Sequence, residues 1–263
     1  MKNSNGSGDS GNGHDEDPKI ARFPTPAERK EIERMKASME HARDAAKAAG
    51  LGSKQVSEPI FNLPPAVKWL CFALVAVQVA MEFSPDDLKS LALENLAFIP
   101  ARYTGGLEFY PGGLLGPFTH VLLHGGWLHL GMNVGTLMAF GSGIEKTTGW
   151  KKLLVLFFAS SLIGAFAHFA YVPHDLSPLI GASGGISGLF GAVLVMAQEQ
   201  GRMAGGKAGM HGMMPIILVW IGISLFFGLF GMPGEKGAIA WTTHIGGFIA
   251  GLLLYKPVNK LKI

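Results

Sequence analysis

The sequence predicts an all-α, polytopic membrane protein with six spanning helices. Three observations carry that expectation. Hydrophobic residues fill 48% of the 263 positions and charged residues only 16%, and the mean hydropathy is +0.30. Charge is concentrated at the start, where residues 1–60 hold ten of the twenty-two Lys and Arg and more than half of the acids. Beyond residue 60, six apolar runs follow one another, most of about 17–20 residues, close to the length that crosses a hydrocarbon core.

Residues 1–24 read as a disordered tail, because GSGDSGNGHDEDP has too few apolar side chains to bury a core. A helix is expected over about 26–49. Thr25 can cap it, Pro26 suits its first position and Glu28 completes a capping box, with Gly50 as the stop. Ile32, Met35, Met39, Ala42, Ala46 and Ala49 fall at heptad spacing on this helix. Alanine fills half of that seam, so the helix is either solvated or set against a membrane surface or partner. Residues 1–60 are thus an amino-terminal arm, 61–257 the spanning domain and 258–263 a tail.

The spans are expected near 65–83, 127–144, 153–172, 183–200, 214–231 and 240–256, the fifth being short and glycine-rich. Residues 84–126 form a long first loop, partly helical and resting in the membrane interface. The first sixty residues contain no apolar h-region, so the first span is expected to be retained rather than cleaved. Lys146, Lys151 and Lys152 follow the second span, Arg202 and Lys207 the fourth, and Lys256, Lys260 and Lys262 the sixth. The other side carries Lys89, Arg102 and Lys236. The positive-inside rule then places both termini in the cytoplasm. Trp127, Trp150 and Trp241 fall at span ends, as aromatic belt residues do.

Several classes are excluded. The single cysteine, Cys71, allows no intrachain disulfide and reads as a small buried hydrophobe. The net charge of +3 comes from basic residues scattered among acids, with no basic stripe interleaved with aromatics, so no nucleic-acid partner is expected.

Polar residues inside apolar helices are costly and mark function. Three groups of them occur. His129 and Asn133, four residues apart, share one face at the start of the second span. Gly181-Ala182-Ser183-Gly184 opens the fourth. His244 lies at the start of the sixth, followed by Gly246, Gly247 and Gly251. Alternate spans place these groups at one depth, below the outer surface. Gly184 with Gly188, and Gly247 with Gly251, have the spacing that lets helix backbones pack closely. Ser183 and His244 are then within reach of one another.

A serine hydroxyl is a weak nucleophile until a base takes its proton. His244 is the natural base, and no Asp occurs within the second to sixth spans to orient it. A Ser–His dyad with slow turnover is therefore expected. Asn133, His129 and the Ser183 backbone N–H are candidate donors to a tetrahedral oxyanion. Taken singly, a GxSG tetrapeptide, a helix histidine or a His-x3-Asn pair is ordinary in glycine-rich membrane helices. Their coincidence on alternate spans is what points to chemistry.

These residues resemble the rhomboid family of intramembrane serine proteases. The matching stretches run from His120 through His124, Gly125-Gly126-Trp127 and His129 to Asn133, then from Phe140 to Glu145, then Gly181 to Ser183-Gly184, and last Thr243-His244 to Gly251. The resemblance covers about residues 60–257. It implies a six-helix, rhomboid-like bundle with Ser183 as nucleophile, His244 as base, His129 and Asn133 at the oxyanion and Gly181 and Gly184 flanking the nucleophile. It implies transmembrane segments of other proteins as substrates, entering near the fifth span and cut near the membrane edge, with the bilayer as setting and no cofactor or metal. A bacterial-type inner membrane fits it. Two departures stand out. The Trp-Arg pair of many members is replaced by Ala101-Arg102, and Ser187 stands where some members place an aromatic residue against the catalytic histidine.

Glu145 is expected to accept hydrogen bonds at the cytoplasmic end of the second span, and His120 and His124 to order the first loop by hydrogen bonds, with a contact to the substrate's edge as the alternative for the two histidines. Met210-His211-Gly212-Met213-Met214 reads as a flexible loop leading into the fifth span. A catalytically silent binder of the same family typically lacks the serine or the histidine, and this chain keeps both. A small-solute transporter should line a path across the bilayer with polar groups, whereas here they stop at one level and no internal repeat is evident.

Overall fold

The computed structural model describes residues 24–48, 63–108, 111–201, 209–231 and 240–263. Residues 1–23 of the tail expected over 1–24, the stop at Gly50 and the basic residues Arg202, Lys207 and Lys236 lie outside them. The chain divides into two units, residues 1–60 and 61–263.

The first unit contributes one helix, α1 (Pro26–Ala48). Its start is a reciprocal capping box: Thr25 N–H donates to Glu28 Oε2 at 2.7 Å, and Glu28 N–H to Thr25 Oγ1 at 3.4 Å. Ile32, Met35 and Met39 are all exposed on it.

The second unit is all helical. It runs α2 (Pro65–Phe83), α3 (Asp86–Leu96), α4 (Gly116–Thr119), α5 (Trp127–Thr148), α6 (Trp150–Tyr171), α7 (Ser183–Glu199), α8 (Gly209–Phe230) and α9 (Trp241–Asn259). Three 3-10 turns, Pro100–Tyr103, Pro111–Leu114 and His120–Leu122, complete the long connection between α2 and α5. Among the described residues there is no strand, only one antiparallel bridge, in which Phe98 and Leu179 exchange backbone hydrogen bonds of 3.1 and 2.8 Å.

α7 occupies the middle. Nearly every residue from Gly184 to Met196 is buried, as befits a helix with apolar or small residues all round. α6 and α9 flank it, and glycine permits the contact. A methyl group on Gly247 would collide with the Gly184 carbonyl oxygen, and one on Gly251 with the Gly188 carbonyl. A methyl on Gly191 would stand 2.5 Å from the Phe248 carbonyl, so at these three levels the seam between α7 and α9 is backbone against backbone. The apolar core continues through Val67 and Leu74 of α2, Leu137 and Ile144 of α5, and Leu153, Leu156 and Phe157 of α6. α8 lies at the edge, joined through Ile217 and Trp220 to Phe190, Leu194 and Phe248. The outer faces expose Phe72, Phe83, Leu218, Val219, Phe226 and Leu253, which water would penalise and lipid would not.

Glu145 closes one end. Its Oε1 accepts from Ala66 N–H at 2.9 Å and its Oε2 from Val67 N–H at 2.8 Å. α2 opens with Pro64-Pro65 and has no capping side chain of its own, so a carboxylate from α5 satisfies its orphan donors and opposes the positive end of its dipole.

Six long helices are thus present in the second unit. Among the described residues two of them, Pro65–Phe83 and Trp150–Tyr171, combine the length and hydropathy needed to cross a membrane, and Met214–Phe226 of α8 is a shorter apolar stretch. α7 is only 17 residues long, and α5 and α9 spend positions on glycine, histidine and hydroxyl residues, which lowers their hydropathy. One expectation changes. The stretch from Met210 to Met214 belongs to α8, with Pro215 inside the same helix, and is not a loop. Glycine and proline near its start concealed the helix from pattern reading, although a proline can be carried within a helix at the loss of one backbone bond.

Candidate active site

The first residue of α7 and the first turn of α9 meet at one end of the bundle. His244 Nε2 lies 2.9 Å from Ser183 Oγ. Both side chains are half-buried. A hydroxyl and an imidazole nitrogen at this distance are placed for proton transfer from one to the other. Among the described residues, no carboxylate is hydrogen-bonded to His244.

The turn into α7 is built on Gly181, whose φ of +112° lies where side chains are strained. Space is short there as well. A methyl on Gly181 would stand 2.8 Å from His129 Nε2 and 3.8 Å from Asn133 Nδ2. Gly181 thus brings the backbone leading into Ser183 directly against the His129–Asn133 face of α5. Asn133 is buried, and its Nδ2 has no hydrogen-bond partner among the described residues. Gly184 is as closely held, with its missing methyl 2.7 Å from Thr243 Cγ2, next to His244. The structure therefore brings Ser183, His244, His129, Asn133, Gly181 and Gly184 to one place. Gly188, Gly247 and Gly251 lie further along the α7–α9 seam.

Residues 111–259 match the rhomboid domain family model, a stretch that begins in the first loop and includes every one of these side chains. The chain belongs to the rhomboid family. It is 33% identical over 133 residues to rhomboid protease GluP of Bacillus subtilis, covering 51% of this chain and 24% of that one. It is 32% identical over 140 residues to rhomboid protease GlpG of an Enterobacter species, covering 52% and 46%. It is 30% identical over 132 residues to RHOMBOID-like protein 4 of Arabidopsis thaliana, covering 50% and 31%. The chain spans less than two thirds of the length of each of these relatives. As a rhomboid, it is an integral membrane protein.

The rhomboid's first loop holds the serine turn from behind. The His120 carbonyl accepts from Gly181 N–H at 2.9 Å. The His120 ring is fully buried, with Nδ1 3.1 Å from the Gly116 carbonyl and Nε2 3.2 Å from Ser161 Oγ. A carbonyl can only accept, so the proton is on Nδ1 and Ser161 donates to Nε2. This neutral tautomer agrees with the effect of burial, which pushes the His120 pKa down to about 4. His124 sets its ring edge-on to His129, with centroids 5.1 Å apart. Burial, with the adjacent His129 ring, pushes its pKa down to about 3.

The two departures from the family pattern have structural consequences. Arg102 is buried within the first loop, its Nη1 donating to the Glu94 carbonyl and its stem lying against Gly113. Ser187 is fully buried one turn after Ser183 and donates its hydroxyl to the Ser183 carbonyl at 2.7 Å.

Sequence reasoning missed one polar pair near the site. His168 of α6 is buried, with Nδ1 2.9 Å from Thr242 Oγ1 and Nε2 3.9 Å from Asp175 Oδ2. It ties the start of α9, two residues before His244, to the end of α6. The signal was present: Ser161, Gly164 and His168 recur at helical spacing on one face of an otherwise apolar run. Among the described residues, no group of three or more His, Cys, Asp or Glu is arranged to hold a metal ion.

Proposed function

We propose that this rhomboid is an intramembrane serine endopeptidase that hydrolyses peptide bonds in or beside transmembrane segments of other membrane proteins. The observation that carries this reading is the 2.9 Å approach of His244 Nε2 to Ser183 Oγ across the α7–α9 seam. His244 takes the hydroxyl proton as Ser183 Oγ attacks the scissile carbonyl, and returns it to the leaving amine. The resulting acyl-enzyme is opened by water, activated by the same imidazole.

The tetrahedral oxyanion is held by the Ser183 backbone N–H, Asn133 Nδ2 and the His129 ring. Support for this comes from the buried Asn133 Nδ2, which has no hydrogen-bond partner among the described residues, and from the clearance that Gly181 maintains beside both side chains. The start of α7 adds its dipole to the same side. With no carboxylate on the imidazole among the described residues, His244 is oriented in this reading by the packing of α9 on α6 and α7, and slow turnover follows. No metal or organic cofactor takes part.

All six long helices of the second unit span the bilayer in this reading, and both termini face the cytoplasm of a bacterial-type inner membrane. Support comes from the basic residues at the end of the bundle away from Ser183, namely Lys146, Lys151, Lys152, Lys256, Lys260 and Lys262. The amino-terminal arm is a cytoplasmic appendage.

The test uses purified protein with single-pass transmembrane reporters, comparing wild type with Ser183→Ala and His244→Ala. Cleavage by wild type within or beside the reporter's membrane segment, abolished in both variants, is the expected result. Equal cleavage by all three proteins would refute the dyad. Failure of a serine-directed fluorophosphonate to label Ser183 in wild type, alongside absent cleavage, would turn the reading towards a silent binder.

A further inference from the structure

At the end of the bundle away from Ser183, α2 and α6 diverge around an apolar groove of about 500 Å³. Trp69 and Leu70 of α2 form one wall, and Trp150, Leu154 and Phe158 of α6 the other. We infer that this groove binds a single phospholipid, its acyl chain between Trp69 and Phe158 and its anionic headgroup at Lys151. The inference rests on the membrane setting and not on the catalytic reading.

Three features select this occupant. The groove is lined almost wholly by carbon and is of ligand size, so a hydrocarbon chain fits it and a polar solute does not. Its mouth is aromatic and cationic. Trp69 and Trp150 are 64% and 54% exposed, and Lys151 Nζ lies 5.7 Å from the centre of the Trp150 ring. Tryptophans at such a position mark the headgroup level. Lys152 is directed elsewhere, donating to the Asn259 carbonyl at 2.6 Å, so of the two lysines that open α6 it is Lys151 that stands beside the Trp150 ring, with the exposed Lys68 next to Trp69 on the facing helix.

The third feature is the contrast between the two helix starts. Glu145 caps α2 through Ala66 and Val67 and brings negative charge there. α6 begins after Gly149, with no side-chain cap and no acid in its first turn. The positive end of α6 and Lys151 therefore lie together and favour an anion. The nearby charges agree. Glu199 is paired with Lys256 at 3.7 Å, and Lys146, Lys260 and Lys262 belong to the same end of the bundle. An anionic headgroup is preferred over a zwitterionic one for this reason.

The experiment reconstitutes the full-length protein in phosphatidylcholine vesicles. Trace phosphatidylglycerol or trace phosphatidylcholine is added with a photoactivatable diazirine near the end of one acyl chain. Crosslinks are mapped by mass spectrometry. The phosphatidylglycerol probe is expected to label peptides containing Trp69, Leu154 or Phe158 at least fivefold over the phosphatidylcholine probe, and fivefold over the exposed α8 surface at Leu218 and Val219. Lys151→Glu should remove the headgroup preference, since one basic residue near the membrane surface is worth about fivefold in affinity. Leu154→Trp, which fills the groove, should remove the groove labelling itself.

Equal labelling by both probes in wild type would overturn the proposal without reliance on any variant. So would labelling spread evenly over α2, α6 and α8, which means annular lipid only. A preference lost in Lys151→Glu with groove labelling unchanged in Leu154→Trp would assign the effect to surface charge and refute the site. Ser183→Ala protein should label as wild type does, which separates this proposal from the fate of the protease reading.

Discussion

Gly247 of α9 lies against the backbone carbonyl of Gly184 of α7 with no room for a methyl group between them. Beside this contact, Ser183, the residue before Gly184, and His244, one turn before Gly247, are at hydrogen-bond distance. The reach of the imidazole is thus set by how closely two backbones approach. Gly247→Ala puts a methyl on a carbonyl that cannot rotate away, so α7 and α9 must separate. Overpacking of this kind costs about 1–3 kcal/mol, and a displacement near 1 Å at a reacting pair costs on the order of 100-fold in rate. Reporter cleavage by Gly247→Ala should fall by at least that factor while thermal unfolding in detergent shifts only a few degrees. Gly222→Ala on α8, where a methyl meets nothing within 4 Å, is the control and should change neither.

Glu145 supplies a second test, of stability alone. Its two oxygens each take one backbone N–H of α2 in a buried setting. Glu145→Ala leaves two orphan donors, at roughly 1–3 kcal/mol for each unsatisfied group. Glu145→Gln keeps one acceptor oxygen and should lose less. Differential scanning fluorimetry in detergent should rank wild type above Glu145→Gln above Glu145→Ala. Equal melting of the two variants would refute the two-oxygen cap.

The first loop predicts a pH dependence of stability. His120 is held neutral, with its folded pKa pushed down to about 4 from an ordinary 6.5, and His124 is lowered further, to about 3. A histidine with a depressed folded pKa binds more protons when unfolded, so its contribution is complete above pH 6.5 and is lost as pH falls through the folded value. For His120 the swing between pH 6.5 and 4 is on the order of 3 kcal/mol. Unfolding temperature should therefore drop between pH 6.5 and 4. His120→Gln should be less stable at pH 7.5, having lost the Ser161 and Gly116 bonds, yet flatter across that window. An unchanged slope in His120→Gln would assign the dependence to other groups.

Much of the helical layout was legible because it is written locally. The capping box at Thr25 and Glu28, the apolar runs and the four-residue spacing of His129 and Asn133 each need only a few neighbouring residues to be seen. The close approach of α7 and α9 was legible for the same reason, as small residues at GxxxG spacing announce it before any partner is known. The start of α8 was not, because glycine and proline around Met213 and Pro215 signal a loop even where the chain is helical. Partnerships were hidden as well. His120 was expected to order its own loop, but which serine its ring meets, and that its carbonyl holds Gly181, depend on α6 and α7 arriving beside it. His168 and Thr242 are 74 residues apart, and neither is unusual where it stands.

Ser187 provides the last prediction, at the position where this chain departs from some of its relatives. Its hydroxyl bonds the Ser183 carbonyl within the same helix, and the side chain is fully buried against neighbours. Ser187→Ala removes only a local bond that a carbonyl already engaged in the helix can spare, so a loss of about 1 kcal/mol or less is expected, with cleavage within about twofold of wild type. Ser187→Tyr, which would restore an aromatic ring, finds no space in this bundle. It should destabilise by more than about 3 kcal/mol, since a whole ring exceeds the one or two methylenes that cores absorb at lower cost. Thermal unfolding and reporter cleavage of both variants decide the matter. A Ser187→Tyr protein as stable as wild type and faster in cleavage would mean that α7 and α9 can open a ring-sized space beside His244. Orientation of the imidazole by helix packing alone would then be wrong.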